Sequence, residues 1–222
     1  TWRKARAMKC TEEMMRLYAV TDRAWVGKQS LAEQVAAALR GGVTCVQLRE
    51  KELDEERFLR EAEEIFTLCK RYRVPFFIND NVALALRCHA DGVHVGQDDM
   101  DVAAVRRLVG QEMMIGVSVH TVEEARTAAE GGADYLGVGA MFATSTKTDA
   151  SLVTKETLRA ICDAVSIPVV AIGGISKSNL LELAGTGVDG VALVSAIFSA
   201  ADIAAECRLL YGLSQEMAEL GK

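Results

Sequence analysis

Gln47, Arg49 and Lys51 stand at alternate positions where the apolar run Thr44–Leu48 gives way to polar chain. Alternate side chains of an extended segment point the same way. Two cations on one face are costly unless an anion meets them, which points to a phosphate-bearing ligand; a solvated strand end with ordinary salt bridges is the other reading. Two more apolar runs end in carboxylates, Ile78-Asn79-Asp80 and Val95-Gly96-Gln97-Asp98-Asp99. Asp80 and Asp99, if brought side by side, offer hard oxygen ligands for Mg²⁺, an ion usually held by one or two carboxylates plus substrate phosphates. The same aspartates also suit helix caps, Asp80 for a helix starting at Asn81 and Asp98 or Asp99 for one after Met100. Further on, Gly116-Val117-Ser118 puts a hydroxyl two residues past a glycine, and Gly173-Gly174 and Ser195 close two later runs. Glycine lets backbone N–H groups approach a phosphate. Between them, Met141–Ala150 is rich in hydroxyls, Thr144 and Thr146 among them, and holds one lysine, Lys147. It reads as a water-excluding lid or as a plain loop.

These residues need a frame, and the rest of the chain supplies one. Short β-branched runs at Leu17–Thr21, Thr44–Leu48, Phe76–Asn79, Gly92–Val95, Met114–Ser118, Tyr135–Val138, Val169–Ile172 and Gly190–Val194 alternate with helical patterns. The helical patterns include Ser30–Arg40, Asp54–Arg71, Val122–Gly131, Lys155–Val165, Lys177–Ala184 and Asp202–Tyr211. Thr121 suits the cap of the third. Strand–helix alternation implies parallel strands with helical crossovers. Eight such units in one chain predict a closed (β/α)8 barrel, a TIM barrel, with an open doubly wound sheet as the rival. The barrel is expected to form a single domain over residues 1–222, with 1–16 a polar N-terminal extension. In a barrel the chemistry gathers at the C-terminal ends of the strands, where every residue singled out above falls. Three echoes, His89-Ala90-Asp91, Gly132-Ala133-Asp134 and Gly187-Val188-Asp189, lead into strands instead, so their aspartates read as structural.

The bulk numbers exclude several classes. With a formal net charge of −6, the chain is not built to coat nucleic acid or an anionic membrane. No apolar run approaches the roughly 20 residues of a membrane helix. The polar, basic Thr1–Thr11 is not a secretory signal. Six scattered cysteines without a C-x-x-C pair read as structural thiols in a reducing cytoplasm, with Cys45, Cys69, Cys88 and Cys162 in apolar or amphipathic runs where Cys acts as a small buried hydrophobe. His94 reads as a core histidine, His89 as a helix end, and His120 carries no assigned role. Assembly into a homo-oligomer is left open.

The chain resembles the thiamine phosphate synthase family from about Leu17 to Phe198. The resemblance is carried by Val46-Gln47-Leu48-Arg49-Glu50-Lys51, Ile78-Asn79-Asp80, Gly92 through Asp99, Gly116-Val117-Ser118, Thr144 through Asp149, and Val170 through Ile175. It implies that two small phosphorylated heterocycles are joined: 4-amino-2-methyl-5-pyrimidinylmethyl diphosphate and a methylthiazole bearing a phosphoethyl arm. It also implies Mg²⁺ on Asp80 and Asp99, and a diphosphate held by Arg49, Lys51, Asn79 and Lys147. Gln47 would lie beside the pyrimidine, with Ser118 near the reacting centre. Thr144, Thr146, Gly173, Gly174 and Ser195 would surround the thiazole phosphate. Arg49, Lys51, Ser118 and Lys147 are the expected catalytic set. The family reaction is dissociative: the diphosphate leaves before the thiazole nitrogen attacks, so no covalent nucleophile is needed. One departure is that Ala140 and Ala143 stand where many relatives have prolines, which loosens the expected lid. Thiazole tautomerases, the nearest rival, carry a histidine where this chain has Ala140. A phosphate-sugar epimerase lacks the six-part match, and a non-catalytic precursor sensor leaves the carboxylates unexplained.

Overall fold

A computed structural model describes residues 9–27, 29–97, 101–143 and 152–220. Its strands are β1 (Leu17–Val20), β2 (Cys45–Leu48), β3 (Phe76–Asn79), β4 (Gly92–Val95), β5 (Met114–Val119), β6 (Tyr135–Val138), β7 (Val169–Ile172) and β8 (Gly190–Leu193). All pair in parallel with their sequence neighbours, and β8 pairs with β1, so the sheet closes as the strand–helix alternation predicts. The helices are α1 (Glu12–Met15), α2 (Leu31–Arg40), α3 (Glu55–Tyr72), α4 (Val82–Arg87), α5 (Val102–Val109), α6 (Val122–Glu130), α7 (Lys155–Ala164), α8 (Ser195–Phe198) and α9 (Ile203–Glu219). Among the described residues none is long and apolar enough to cross a membrane.

Strand alternation divides the apolar residues into two layers. Outward-facing Leu17, Val46, Leu48 and Ile78 pack under the helices with Val35, Ile65, Leu158 and Leu210. Inward-facing Tyr18, Cys45, Phe77, Met114, Tyr135 and Val170 fill the barrel itself. Large inward rings require small inward neighbours, because interiors are close-packed. A Cβ at Gly116 would collide with the Tyr135 ring, so glycine is what admits it. From below, α1 supplies Met15, fully buried in the inner layer. The described part of the polar extension thus closes the barrel floor.

The floor is clasped by side chains. Thr44, Asp91, Asp134 and Asp189 each stand just before an even-numbered strand. Each accepts a hydrogen bond from the backbone N–H at the start of the preceding odd strand: Leu17 (2.8 Å), Phe76 (3.0 Å), Ile115 (2.7 Å) and Val169 (2.8 Å). Each returns its own N–H to the carbonyl of that same residue. Lys70 at 2.7 Å and Arg106 at 2.5 Å balance the charges of Asp91 and Asp134. The aspartates are structural, as their sequence context suggests.

Four local expectations shift. The helix expected over Lys177–Ala184 shrinks to a 3₁₀ turn, Leu180–Leu183. Asn179 instead takes the Ser176 N–H and donates to the Gly174 carbonyl, the local competition by which Ser and Asn weaken helices. The final helix runs past Tyr211 to Glu219, because Leu210, Ser214, Met217 and Ala218 keep one face buried. Thr121 does cap α6. Asn81, not Asp80, caps α4, and Asp101 caps α5, while Asp98 and Asp99 lie outside the described residues.

Candidate active site

At the C-terminal ends of the strands the barrel opens into a cavity of about 420 Å³. Gln47, Arg49, Lys51, Asn79, Asp80, Ser118, Gly173, Gly174 and Ser195 all line it. Their sources are five strand ends or the loops just beyond them, so the barrel brings together residues that the chain keeps up to about 150 positions apart. Asp99, Thr144, Thr146 and Lys147 lie outside the described residues.

The cationic edge follows β2. Gln47, Arg49 and Lys51 face the cavity while Glu50 turns the other way, as alternation requires. Glu50 binds Arg23 at 2.6 Å and accepts the backbone N–H groups of Lys51 (2.8 Å), Glu52 (2.7 Å) and Leu53 (3.3 Å). Burial opposes its charge, but the Arg23 hydrogen bond and the N–H groups of Glu52 and Lys51 outweigh it, holding the carboxyl below the usual range. That anchor fixes the turn presenting Lys51. Among the described residues Arg49 has only a loose ion-pair partner, Asp22 at 3.5 Å, while its backbone N–H is tied to Thr21. Lys51 has no ion-pair partner among the described residues. Positive charge is thus concentrated at one edge of a chain that is acidic overall.

Asp80 follows directly. Its backbone lies in the left-handed region, φ 62°, uncommon for a residue with a side chain. The bond from its N–H to the His94 carbonyl (2.8 Å) and the capping of α4 by Asn81 hold it there. Its carboxylate accepts from the Asn79 amide at 2.7 Å and faces the cavity. Strained backbone of this kind persists where neighbours over-determine it, and it clusters at functional sites. One hard-oxygen ligand on a cavity rim beside two cations fits Mg²⁺ shared with a diphosphate.

Opposite this edge, β7 ends in Gly173 and Gly174, with φ 96° and 65°. A Cβ on Gly173 would strike Ala140 (2.6 Å), and one on Gly174 would strike the Ala143 carbonyl (2.5 Å). The glycine pair therefore lets the segment after β6 lie flat on β7, where Met141 and Phe142 donate N–H groups to Ile172 and Gly173. The far end of that loop is tied down as well, Val153 N–H to the Ala140 carbonyl at 2.8 Å. Ala140 thus lies between backbone bonds that tie both described ends of the segment, Met141 to Ile172 and Val153 to Ala140 itself.

The cavity floor joins Gln47, His94 and Ser118 to Tyr18 and Tyr135, two residues the sequence had not singled out. Gln47 donates to the Tyr18 hydroxyl at 2.9 Å, and that hydroxyl lies 2.7 Å from the Tyr135 hydroxyl. Tyr135 lies 2.8 Å from His94 Nδ1, and His94 Nε2 lies 2.8 Å from Ser118 Oγ. His94 is the buried, satisfied histidine its strand position suggests, yet its partners are site residues. Gln97 joins them by donating to the Ser118 carbonyl. Parity was the available signal: Tyr18 and His94 share the inward face with Gln47. His120 also lines the cavity, with Glu124 3.4 Å from its ring.

Among the described residues, the cavity lining includes no cysteine. Burial pushes the Cys10, Cys69, Cys162 and Cys207 thiols up to about 12, so they stay un-ionised at neutral pH. The site offers cations, a carboxylate and hydrogen-bonding groups, the equipment for stabilising a departing anion.

Residues 17–197 match the thiamine monophosphate synthase family. A thiamine-phosphate synthase of Ruminiclostridium cellulolyticum is 50% identical over 187 residues, covering 84% of this chain and 89% of that protein. The one from Chloroflexus aurantiacus is 48% identical over 199 residues, covering 89% and 92%. Among solved structures, a thiamine phosphate pyrophosphorylase from Pyrococcus furiosus superposes with a TM-score of 0.86 at 38% identity, covering 93% of this chain and 98% of that one.

Proposed function

Since the chain belongs to the thiamine monophosphate synthase family, a family of transferases in thiamine biosynthesis, we propose that it couples the aminopyrimidine diphosphate to the thiazole phosphate, giving thiamine phosphate and pyrophosphate. The observation carrying this reading is the single cavity in which Arg49, Lys51, Asn79 and Asp80 face Gly173, Gly174 and Ser195. It offers two anion-binding edges, one for each phosphorylated substrate.

The chemistry asks little covalent work of the protein. An electron-rich aminopyrimidine supports a benzylic-type cation, so the C–O bond to the diphosphate breaks first and the thiazole nitrogen then attacks the carbon. Arg49 and Lys51 take up charge on the departing diphosphate, with Lys147 assigned alongside them by family resemblance. Asn79 holds an oxygen of that group, and Gln47 and Ser118 orient the pyrimidine between them. Thr144 and Thr146 would join Gly173, Gly174 and Ser195 around the thiazole phosphate. Mg²⁺, held by Asp80 and Asp99, supplies further charge neutralisation when bound. Positioning and exclusion of water do the rest, since water would trap the cation. In the same reading the enzyme works in the cytoplasm, where its free thiols stay reduced, and takes neither nucleic acid nor membrane as partner.

The test mixes the purified protein with both phosphorylated heterocycles, with and without Mg²⁺, and assays thiamine phosphate. Product that depends on Mg²⁺ is expected. A folded protein that binds the thiazole phosphate yet forms no product would defeat the coupling reading.

A further inference from the structure

We infer that Tyr18, Tyr135 and His94 form a one-way relay of hydrogen bonds that couples Gln47 on one wall of the cavity to Ser118 on the other, holding the Ser118 hydroxyl as a donor toward the ligand. The relay crosses the barrel interior instead of following its wall, passing from β2 to β1, β6, β4 and β5. Its four links measure 2.9, 2.7, 2.8 and 2.8 Å. All three middle residues are buried.

Direction follows from proton counting. A tyrosine hydroxyl has one proton to give, and a neutral imidazole has one N–H. Each middle residue therefore accepts from one neighbour and donates to the other, and the chain runs wholly one way or wholly the other. A mixed arrangement would leave a buried proton with no acceptor along the relay. Gln47 presents its amide nitrogen to Tyr18, and that nitrogen only donates. Tyr18 then donates to Tyr135, and Tyr135 to His94 Nδ1. His94 carries its proton on Nε2 and gives it to Ser118 Oγ, leaving the serine proton to point into the cavity. Burial pushes both phenols well above the usual tyrosine range, so each keeps the proton the relay needs.

What the relay does for a ligand rests on the function proposed above. An aminopyrimidine pairs a ring nitrogen, which needs a donor, with an amine, which needs an acceptor. A Ser118 hydroxyl donor and the Gln47 carbonyl supply that complementary pair, and their characters are set together. Tyr18, Tyr135 and His94 are positioning residues acting through the two ends.

The test reads the His94 tautomer by ¹⁵N NMR in the unliganded full chain, which has three histidines to resolve. The native protein should show His94 protonated on Nε2; protonation on Nδ1 overturns the assignment without any variant. Gln47→Glu places an acceptor-only group at the far end, kept ionised by nearby Arg49 and Lys51. It should reverse the relay and move the His94 proton to Nδ1. Combined with Tyr18→Phe, which cuts the path, Gln47→Glu should leave the tautomer at Nε2. An unmoved tautomer in the single variant, or a moved one in the double, overturns the relay. In turnover, Tyr18→Phe and Tyr135→Phe should each lower kcat/KM by roughly 10- to 100-fold, and the double variant by no more than the worse single. Multiplying losses would mean independent roles and would also overturn it. Absence of synthase activity in the native protein, with the tautomers as expected, would defeat the proposed function and leave the relay standing.

Discussion

The two ends of the barrel use carboxylates in opposite ways. At the floor, Asp91, Asp134 and Asp189 each accept a backbone N–H, and the first two face Lys70 and Arg106. At the mouth, Asp80 sits on left-handed backbone facing an open cavity, beside an arginine whose acidic partner is 3.5 Å away. The same residue type is therefore saturated by backbone geometry at one end and turned toward an open cavity at the other. The sequence surroundings differ correspondingly. Floor aspartates precede a strand, and mouth aspartates follow one.

Substitutions at the two ends should separate activity from stability, and each sharpens or breaks the contrast. The largest effect is expected from Asp80→Ala or Asp99→Ala, which should cut Mg²⁺-dependent synthesis by at least about 100-fold while the melting temperature holds. Full activity in either variant would remove that residue from the metal site. Arg49→Ala should lower kcat by roughly 100-fold, again without loss of fold. At the floor the pattern should invert. Asp134→Ala strips the Ile115 N–H of its side-chain acceptor and Arg106 of its carboxylate, costing about 2 kcal/mol and roughly 4–8 °C in melting temperature. Its kcat should stay at the native value, and a kcat loss comparable to that of Arg49→Ala would break the comparison.

Glu50 lies between these cases, a mouth residue that acts structurally. Its carboxyl is held below the usual range, so its contribution is complete at neutral pH and is lost only as pH falls below the ordinary carboxylate range. Glu50→Gln should therefore melt several degrees below the native protein at pH 7, and the gap should close as pH falls below the ordinary carboxylate range. A gap independent of pH would assign the stabilisation to shape instead of charge. The smallest effect belongs to Thr121→Ala, which removes the cap of α6 and should cost about 1 kcal/mol, seen in melting alone.

All eight strands were legible in the sequence to within about a residue, because short β-branched runs bounded by Gly, Asp and Pro have few alternative readings. Parity also assigned Gln47, Arg49 and Lys51 to one face. The relay was not legible. Parity tells which residues point inward, but Tyr135 meets both Tyr18 and His94 across the barrel axis, and that meeting depends on register and tilt. The turn at Leu180–Leu183 was missed because hydrogen bonds from Asn179 outweigh a helical pattern only a few residues long. Asp80 had two readings until the structure gave the capping role to Asn81. That exchange turns on where α4 begins, at Val82 after Asn81, and on the left-handed backbone of Asp80, which periodicity does not encode.

The floor clasps join β1 to β2, β3 to β4, β5 to β6 and β7 to β8, and they skip the seams between. At two of the skipped seams a proline carbonyl, Pro75 or Pro168, meets the neighbouring strand with backbone alone. The closed ring is thus built as four quarter-barrels, each a pair of strands locked at its base. Native-state hydrogen exchange should open the unclasped seams first, and a chain cut between β4 and β5 should leave two halves that each retain two complete locks and reassemble by mixing.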